Sequence, residues 1–347
     1  MGGLAQQMGR AGPDTMAASV VQGPNPQPCP WMTGDKGVHA AAAAVQKSCG
    51  AHLERIVKAQ VPKPQPREGQ VLVRVAYSSV NPCNWKRILG NREPMIPGSE
   101  YAGTVERAVA PCDLRVGDEV WGIGDACYAE YVVTDCASTG LKPVNLNMEE
   151  AAVLPLVALT GLMGLRHAGA PWKSRPTVLV IAGSSGTGSV GIQLAKAAGA
   201  GKVISTCGRQ NFEAVRRFGA DEVIDYHAQN WWEVLPKGSV DIIYDCACIE
   251  RTGDRAYEIL PDGGHFLTIQ QGSMASLQAA LRRPKVKQFA YLLSEISRDR
   301  LDYLKGLAEK GQLYTPIDGT YELADVGSAF NKSMEGHTVG KISIRVG

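Results

Sequence analysis

Ala182-Gly-Ser-Ser-Gly-Thr-Gly-Ser-Val-Gly191 follows an apolar run, Val178-Leu-Val-Ile181, and leads into a segment with Val190, Leu194 and Ala198 on one helical side. A short apolar run ended by glycine suits a parallel strand buried on both faces. Gly186, Gly188 and Gly191 satisfy a G-x-G-x-x-G spacing, and Gly183 opens a second frame with Gly188. Glycine lets the backbone turn tightly and approach a pyrophosphate, whose charge then rests on free amides at a helix N-terminus. Ser184, Ser185 and Thr187 add hydroxyl donors there. The spacing alone often marks only a tight turn; the strand–glycine–helix context is what gives it weight.

Downstream the same rhythm repeats. A helix is expected from about Ser189 to Ala198, a strand at Val203-Ile-Ser, a helix over Phe212 to Phe218 and a strand at Val223-Ile224. Asp241-Ile-Ile-Tyr-Asp245 is the next strand, followed by a helix to Leu260 and by His265-Phe-Leu-Thr-Ile269. Strand and helix alternating at this spacing specify an α/β fold with a doubly wound parallel sheet. An edge strand of that sheet is expected near Phe266 to Ile269. The basic stretch Arg282 to Lys287 reads as a solvated helix face or loop.

Upstream, Val38 to Thr160 reads mostly as strands and turns, with Val71-Leu-Val-Arg-Val-Ala-Tyr77 and Tyr128 to Val133 the clearest runs. A helix is expected near Asn147, since Glu149 and Glu150 suit its first turn. After Gly311 short strands return, ending in Lys341-Ile-Ser-Ile-Arg-Val, and should fold back on the first region. Residues Met1 to about Gly37 are rich in Gly, Pro, Gln and Ala without hydrophobic periodicity, and read as a flexible extension. That extension lacks the cationic start and apolar run of a secretory signal.

The composition sets bounds. A chain of 347 residues with 44% apolar residues supports two cores. Its 36 basic and 34 acidic residues argue against nucleic acid or a membrane surface as the main partner. No apolar stretch is long enough to span a bilayer. Nine scattered cysteines suit free thiols in a reducing compartment better than a disulfide framework.

Cofactor preference is read at the end of the second strand, where an acidic residue would hold the ribose hydroxyls of NAD. Here Val203-Ile-Ser-Thr ends in Cys207-Gly-Arg-Gln210 with no carboxylate. Arg209 is placed to pair with a 2′-phosphate instead, which points to NADPH. The alternative is a solvated arginine at a helix start, where its charge opposes the dipole.

Several ordered motifs now resemble one family. They include Val80-Asn-Pro-Cys-Asn-Trp-Lys86, Ile96-Pro-Gly-Ser-Glu-Tyr-Ala-Gly103, Val116-Gly-Asp-Glu-Val120, Tyr128-Ala-Glu-Tyr-Val132, Ala151-Ala-Val-Leu-Pro-Leu156, Gly219-Ala-Asp221 and Gly340-Lys341. From about Ala40 to the C-terminus the chain resembles the medium-chain dehydrogenase/reductase superfamily, in its zinc-independent quinone oxidoreductase-like and alkenal reductase branch. The resemblance implies a GroES-like, mostly-β catalytic domain over residues 38–160 and 311–347, split around a Rossmann domain over 161–310.

The resemblance also assigns roles. Zinc-dependent relatives carry a cysteine ligand where this chain has Asn81 and a His-Glu pair where it has Ser99-Glu100; neither Asn nor Ser is a usual zinc ligand, so no metal is expected. Cys246-x-Cys248 is too tight for a zinc pair and reads as core. Asn81 is implied beside the nicotinamide, and Lys86 at a pocket position, either stabilising an enolate or acting as acid; the alternative is an exposed lysine after a turn. Tyr77, Tyr101 and Tyr128 are further donors, or packing residues on strands. Thr160 is implied on the nicotinamide side, Tyr226 beside the adenine, and Lys341 near the cofactor phosphates. Cys127 stands where the family usually has glycine, as a thiol open to alkylation by enones.

The function implied is metal-free, NADPH-dependent hydride transfer to an enone, an enal or a quinone, whose conjugation spreads the developing charge onto an oxygen. Two alternatives stand: an enoyl-thioester reductase of lipid or polyketide metabolism, and a non-catalytic dinucleotide-binding subunit. A small electrophile is the expected partner, with a homodimer by analogy. The cytoplasm is the expected compartment, or an organellar stroma or matrix if the N-terminal extension is a targeting segment.

Overall fold

The computed structural model describes residues 14–22, 53, 55–90, 95–290 and 296–347. It divides into two units: one takes the chain up to Leu156 with Ile296–Glu309 and Ile317–Gly347, the other Val157–Glu295 with Lys310–Pro316.

The second unit holds the six-stranded parallel sheet. Its order is Glu222–Asp225, Lys202–Cys207, Thr177–Ile181, Ile242–Asp245, His265–Thr268, Lys287–Ala290. Chain order reverses on either side of Thr177–Ile181, so the chain winds outward from that strand in both directions, as in doubly wound folds. Leu179, Ile204, Ile243 and Phe266 are buried from it in one core with Ala256, Tyr257 and Leu260. The helix Gly186–Ala197 follows the central strand. His265–Thr268 is interior, contrary to the edge expected there. The edge is Lys287–Ala290, hidden in sequence at the end of the basic run.

The first unit is mostly β. Its seven-stranded sheet runs Ile317–Glu322, Lys341–Arg345, Gln70–Val80, Glu100–Ala108, Glu119–Ile123, Thr139–Leu141, with Tyr131–Asp135 also paired to Gln70–Val80. Val71, Val73, Val75, Val105, Val120 and Ile344 are buried in its core. The helix Met148–Ala152 opens with a full capping box: Asn147 Oδ1 accepts from the Glu150 amide and Glu150 Oε2 accepts from the Asn147 amide, each at 2.9 Å.

Four expectations need correction. Within the supposed flexible extension, Thr15–Val21 is a strand paired antiparallel to Ile56–Pro62, with all but its first residue buried; both faces are covered, so no alternation shows. The rest of that extension lies outside the described residues. The helix Arg298–Glu309, placed by sequence in the parallel-sheet domain, belongs to the first unit, where Leu301 packs by Gly140 and Arg298 Nε donates to Thr139 O at 3.0 Å. The unit boundary after the first β region falls at Leu156, not at 160. Finally, Cys112 and Cys136 are joined as a disulfide. Among the described residues Cys83, Cys127, Cys207, Cys246 and Cys248 stand outside that disulfide.

Candidate functional site

In the second unit the glycine turn is built by close contact. Ala182 takes a left-handed conformation (φ 63°) at the end of the central strand, and its amide and that of Gly183 donate to Thr206 at 3.0 and 2.8 Å. Gly188 faces the Ala182 carbonyl, and a Cβ there would lie 2.0 Å from that oxygen. Gly191 gives room to the Tyr244 ring, 2.8 Å from a would-be Cβ. Ser185 caps the helix: its hydroxyl donates to Ala182 O at 2.8 Å and accepts from the Gly188 amide at 3.1 Å. That hydroxyl is used inside the turn. Ser184, Thr187 and the amides at Gly186 and Thr187 remain as anion donors, at the positive end of a twelve-residue helix.

Arg209 and Tyr226 stand at the ends of the two neighbouring strands, whose last residues, Cys207 and Asp225, are register partners. Arg209 is exposed; its carbonyl accepts from the Phe212 amide, and its guanidinium makes no hydrogen bond or ion pair among the described residues. Tyr226 is 40% exposed, with its ring centroid 4.1 Å from that of His227. Thr160 is buried in the helix Pro155–His167. Asp245 ends the strand beside the central one, its carboxylate accepting from the Ala247 and Cys248 amides at 3.0 and 3.2 Å. Burial pushes its pKa up from 3.8 to about 6, against the pull of those two amides. Sequence reasoning missed Asp245, although it closes a recognised strand.

In the first unit the sheet register collects a polar cluster that sequence named only piecemeal. Ile342 pairs with Val80, and Ser78 with Tyr101. Lys341 therefore meets Asn81, and Glu100 meets Ser79, where three strands end together. Glu100 Oε1 accepts from Ser79 Oγ, from Asn81 Nδ2 at 2.7 Å and from Lys341 Nζ at 3.1 Å. Its Oε2 accepts from the Leu156 amide at 2.7 Å. Lys341 Nζ also donates to Val80 O at 2.8 Å and Asn81 Oδ1 at 2.6 Å. Asn84 Oδ1 accepts from the Asn81 amide at 2.9 Å, Asn84 Nδ2 donates to Ser99 Oγ at 2.7 Å, and Tyr128 OH donates to Ser79 O at 2.9 Å. The helix Pro82–Gly90 leaves from this cluster and carries Lys86, half-buried, over the Trp85 ring.

Three assignments change. Lys341 is 4% exposed and its three N–H donors are all taken, so it has none left for a cofactor phosphate. Tyr101 is fully buried with its hydroxyl 3.0 Å from Thr139 Oγ1, and burial raises its pKa far above the phenol range; it packs the core instead of joining Asn81 and Lys86. Cys127 is also fully buried, its Sγ donating to Gly124 O, and burial pushes its thiol well up, which is the opposite of a reactive thiolate.

Residues 67–154 match the model of the alcohol dehydrogenase GroES-like domain, and residues 218–344 that of the zinc-binding dehydrogenase family. The chain is 32% identical over 317 residues to the chloroplast envelope quinone oxidoreductase homolog of Arabidopsis thaliana, covering 85% of this chain and 94% of the relative. It belongs to the medium-chain dehydrogenase/reductase superfamily, in the quinone oxidoreductase-like branch. The NADPH-dependent alkenal/one oxidoreductase of A. thaliana is 30% identical, covering 81% of this chain and 73% of that protein. Among solved structures, an alcohol dehydrogenase superfamily protein from Novosphingobium aromaticivorans matches with a TM-score of 0.77 and 26% identity, over 96% of this chain and all of that one. As a medium-chain dehydrogenase/reductase the protein is an oxidoreductase that takes small-molecule substrates and uses a nicotinamide dinucleotide. Among the described residues no helix is long and apolar enough to cross a membrane.

One of the matched families is named for zinc, and two groups of side chains bear on whether this chain could hold it. The Glu100 carboxylate, the strongest ligand in the polar cluster, already holds an ammonium and three further donors. A divalent ion there would have to displace a lysine of like charge. Cys112, Asp113 and Cys136 bring ligand atoms within 4.8 Å of one another, but the two sulfurs are bonded together and offer no thiolates. Neither group fits zinc.

Proposed function

We propose that the protein is an NADPH-dependent reductase that delivers hydride to the activated C=C bond of an enone or enal, or to a quinone, without a metal ion. Its main support is the network around Glu100, whose ligand positions are filled by this chain's own Lys341, Ser79, Asn81 and the Leu156 amide. With no Lewis acid to polarise a simple ketone, the acceptor must delocalise its own charge, as an enone or quinone does.

The bound dinucleotide supplies the hydride. The turn Ala182–Gly191 takes its pyrophosphate on the amides at Gly186 and Thr187, helped by Ser184 and Thr187 hydroxyls. Arg209 takes the 2′-phosphate, Tyr226 flanks the adenine, and Thr160 belongs on the nicotinamide side. Asn81 orients the reacting groups and Lys86 donates to the acceptor oxygen. The alkenal/one reductase named above supports the NADPH reading. A homodimer through Lys287–Ala290, the edge strand among the described residues, fits the sheet order. The compartment proposed is the cytoplasm, with a plastid or mitochondrial interior as the alternative.

Purified protein, dialysed against a chelator, is assayed for NADPH oxidation with an alkenal, a vinyl ketone, a naphthoquinone and a crotonyl thioester, with NADH in parallel. Turnover of one of the first three with NADPH after chelation is expected. Turnover confined to the thioester moves the assignment to enoyl reduction, and binding without turnover to a non-catalytic subunit.

A further inference from the structure

The buried pair Lys341–Glu100 is more than a neutralised charge. The three oxygens around Lys341 Nζ come from a backbone carbonyl (Val80), an amide (Asn81) and a carboxylate (Glu100), at 2.8, 2.6 and 3.1 Å. Side-chain exposure is 4% for Lys341 and nil for Glu100. These are ammonium hydrogen-bond distances, and the cage holds a single carboxylate to balance a single positive charge. The cage is therefore shaped for a singly charged, hydrogen-bonding cation, and the chain supplies it on a tether.

Asn81 is gripped at both ends of its amide, the oxygen by Lys341 and the nitrogen by Glu100. Its backbone amide is held by Asn84 Oδ1 and its carbonyl by the Asn84 amide. This turn opens the helix Pro82–Gly90, and Lys86 lies one helical turn in. Without the cation, Glu100 would be a buried carboxylate lacking its counter-charge and Asn81 Oδ1 would lose its donor, so the turn would rotate or admit water. A small displacement of a donor is costly to catalysis even where the fold survives.

We propose that Lys341 is a positioning residue: a tethered ammonium seated in an oxygen cage that fixes the Asn81–Asn84 turn and thereby the helix bearing Lys86. The kinetic consequence rests on the reductase reading given above; the cage itself does not. Removing the side chain beyond Cβ leaves a vacant seat of the same size and charge preference, which a free ammonium ion can occupy.

The test is chemical rescue of Lys341→Ala. Wild type, Lys341→Ala and a control at an exposed ion pair, Lys202→Ala, are compared in ammonium, methylammonium and sodium chlorides at equal ionic strength. In Lys341→Ala kcat is expected to fall about a hundredfold with a smaller change in KM. Ammonium should restore kcat saturably, and sodium should not. Ammonium should also raise the unfolding midpoint of Lys341→Ala alone. That thermal arm is independent of turnover: if wild type reduces no acceptor, the reductase reading falls while the cage is still judged by ammonium-specific stabilisation. If Lys341→Ala does not fold, the neutral pair Glu100→Gln/Lys341→Met is used, since it leaves no buried charge unpaired. It should fold, ignore ammonium and keep the low kcat. Wild-type kcat in either variant, or a Lys341→Ala protein indifferent to ammonium by both measures, overturns the proposal.

Discussion

Gly188 sits against the carbonyl of Ala182, so close that a methyl group at 188 would lie 2.0 Å from the oxygen. The neighbour is backbone, fixed by the hydrogen bonds of Ala182 and Gly183 to Thr206, and cannot swing aside. Gly188→Ala should therefore force the strand away from the helix start. The expected result is about 1–3 kcal/mol of lost stability, measured by denaturant unfolding, and at least about a tenfold weaker affinity for NADPH, measured by fluorescence titration, because the amides at Gly186 and Thr187 move with the turn. A variant that binds as tightly as wild type would show that the turn does not carry the cofactor.

Arg209 is exposed, at the end of Lys202–Cys207, its guanidinium without an internal partner among the described residues. Its removal should cost the protein nothing in stability. Arg209→Ala should raise KM for NADPH about ten- to a hundredfold, the scale of a hydrogen bond to a charged group, and leave KM for NADH unchanged. Equal effects on both cofactors would remove the 2′-phosphate from its list of partners.

Asp245 gives stability a defined pH dependence. Its carboxyl titrates near 6 in the folded protein against an ordinary 3.8, so the folded state holds the proton more tightly. The stabilisation is complete below pH 4 and is lost as pH rises from about 4 to about 6. Asp245→Asn should remove that fall, because an amide oxygen can still accept from the Ala247 and Cys248 amides. At pH 7 the variant is expected to be about 2–3 kcal/mol more stable, read as the unfolding midpoint across pH 4–8. A variant that keeps the wild-type slope would assign it to another group.

Val20, on the strand Thr15–Val21, is fully buried. Val20→Asp places an unpaired carboxylate in the first unit's interior and should cost more than about 3 kcal/mol. Circular dichroism and limited proteolysis would register this as loss of the β-rich unit. A neutral outcome would make the strand a dispensable strip.

The parallel-sheet unit could be read from the chain because its information is local. Most of its strands are short apolar runs and the glycine spacing sits at the first strand–helix junction; in the other unit, Asn147 with Glu150 announces its own helix start. Thr15–Val21 escaped because burial on both faces erases the alternation by which a strand is noticed, and because glycine and proline surround it. Lys287–Ala290 escaped because its charge resembles a solvated face. The polar cluster was visible only as separate names. Asn81, Glu100 and Lys341 are brought together by antiparallel register, and no window of sequence spans the 241 positions between Glu100 and Lys341. For the same reason sequence alone points Lys341 to a cofactor phosphate: its chemistry is evident in the chain, its burial is not. The Cys112–Cys136 bond likewise joins residues that composition alone read as free thiols.

The discontinuous first unit sets a timetable for birth on the ribosome. The second unit is nearly one uninterrupted stretch, Val157–Glu295, and can fold once it has emerged. The first unit cannot close then, because Glu100 lacks its counter-charge until Lys341 is made. At roughly 5–20 residues per second, 241 residues of delay is on the order of ten to fifty seconds. For that interval, during which the second unit is itself being made, the strand ends around Glu100 stay open and hydrated. The last strand thus acts as a completion signal, and a chain stopped short of residue 341 would be left with an unfinished β unit that quality-control proteases can recognise.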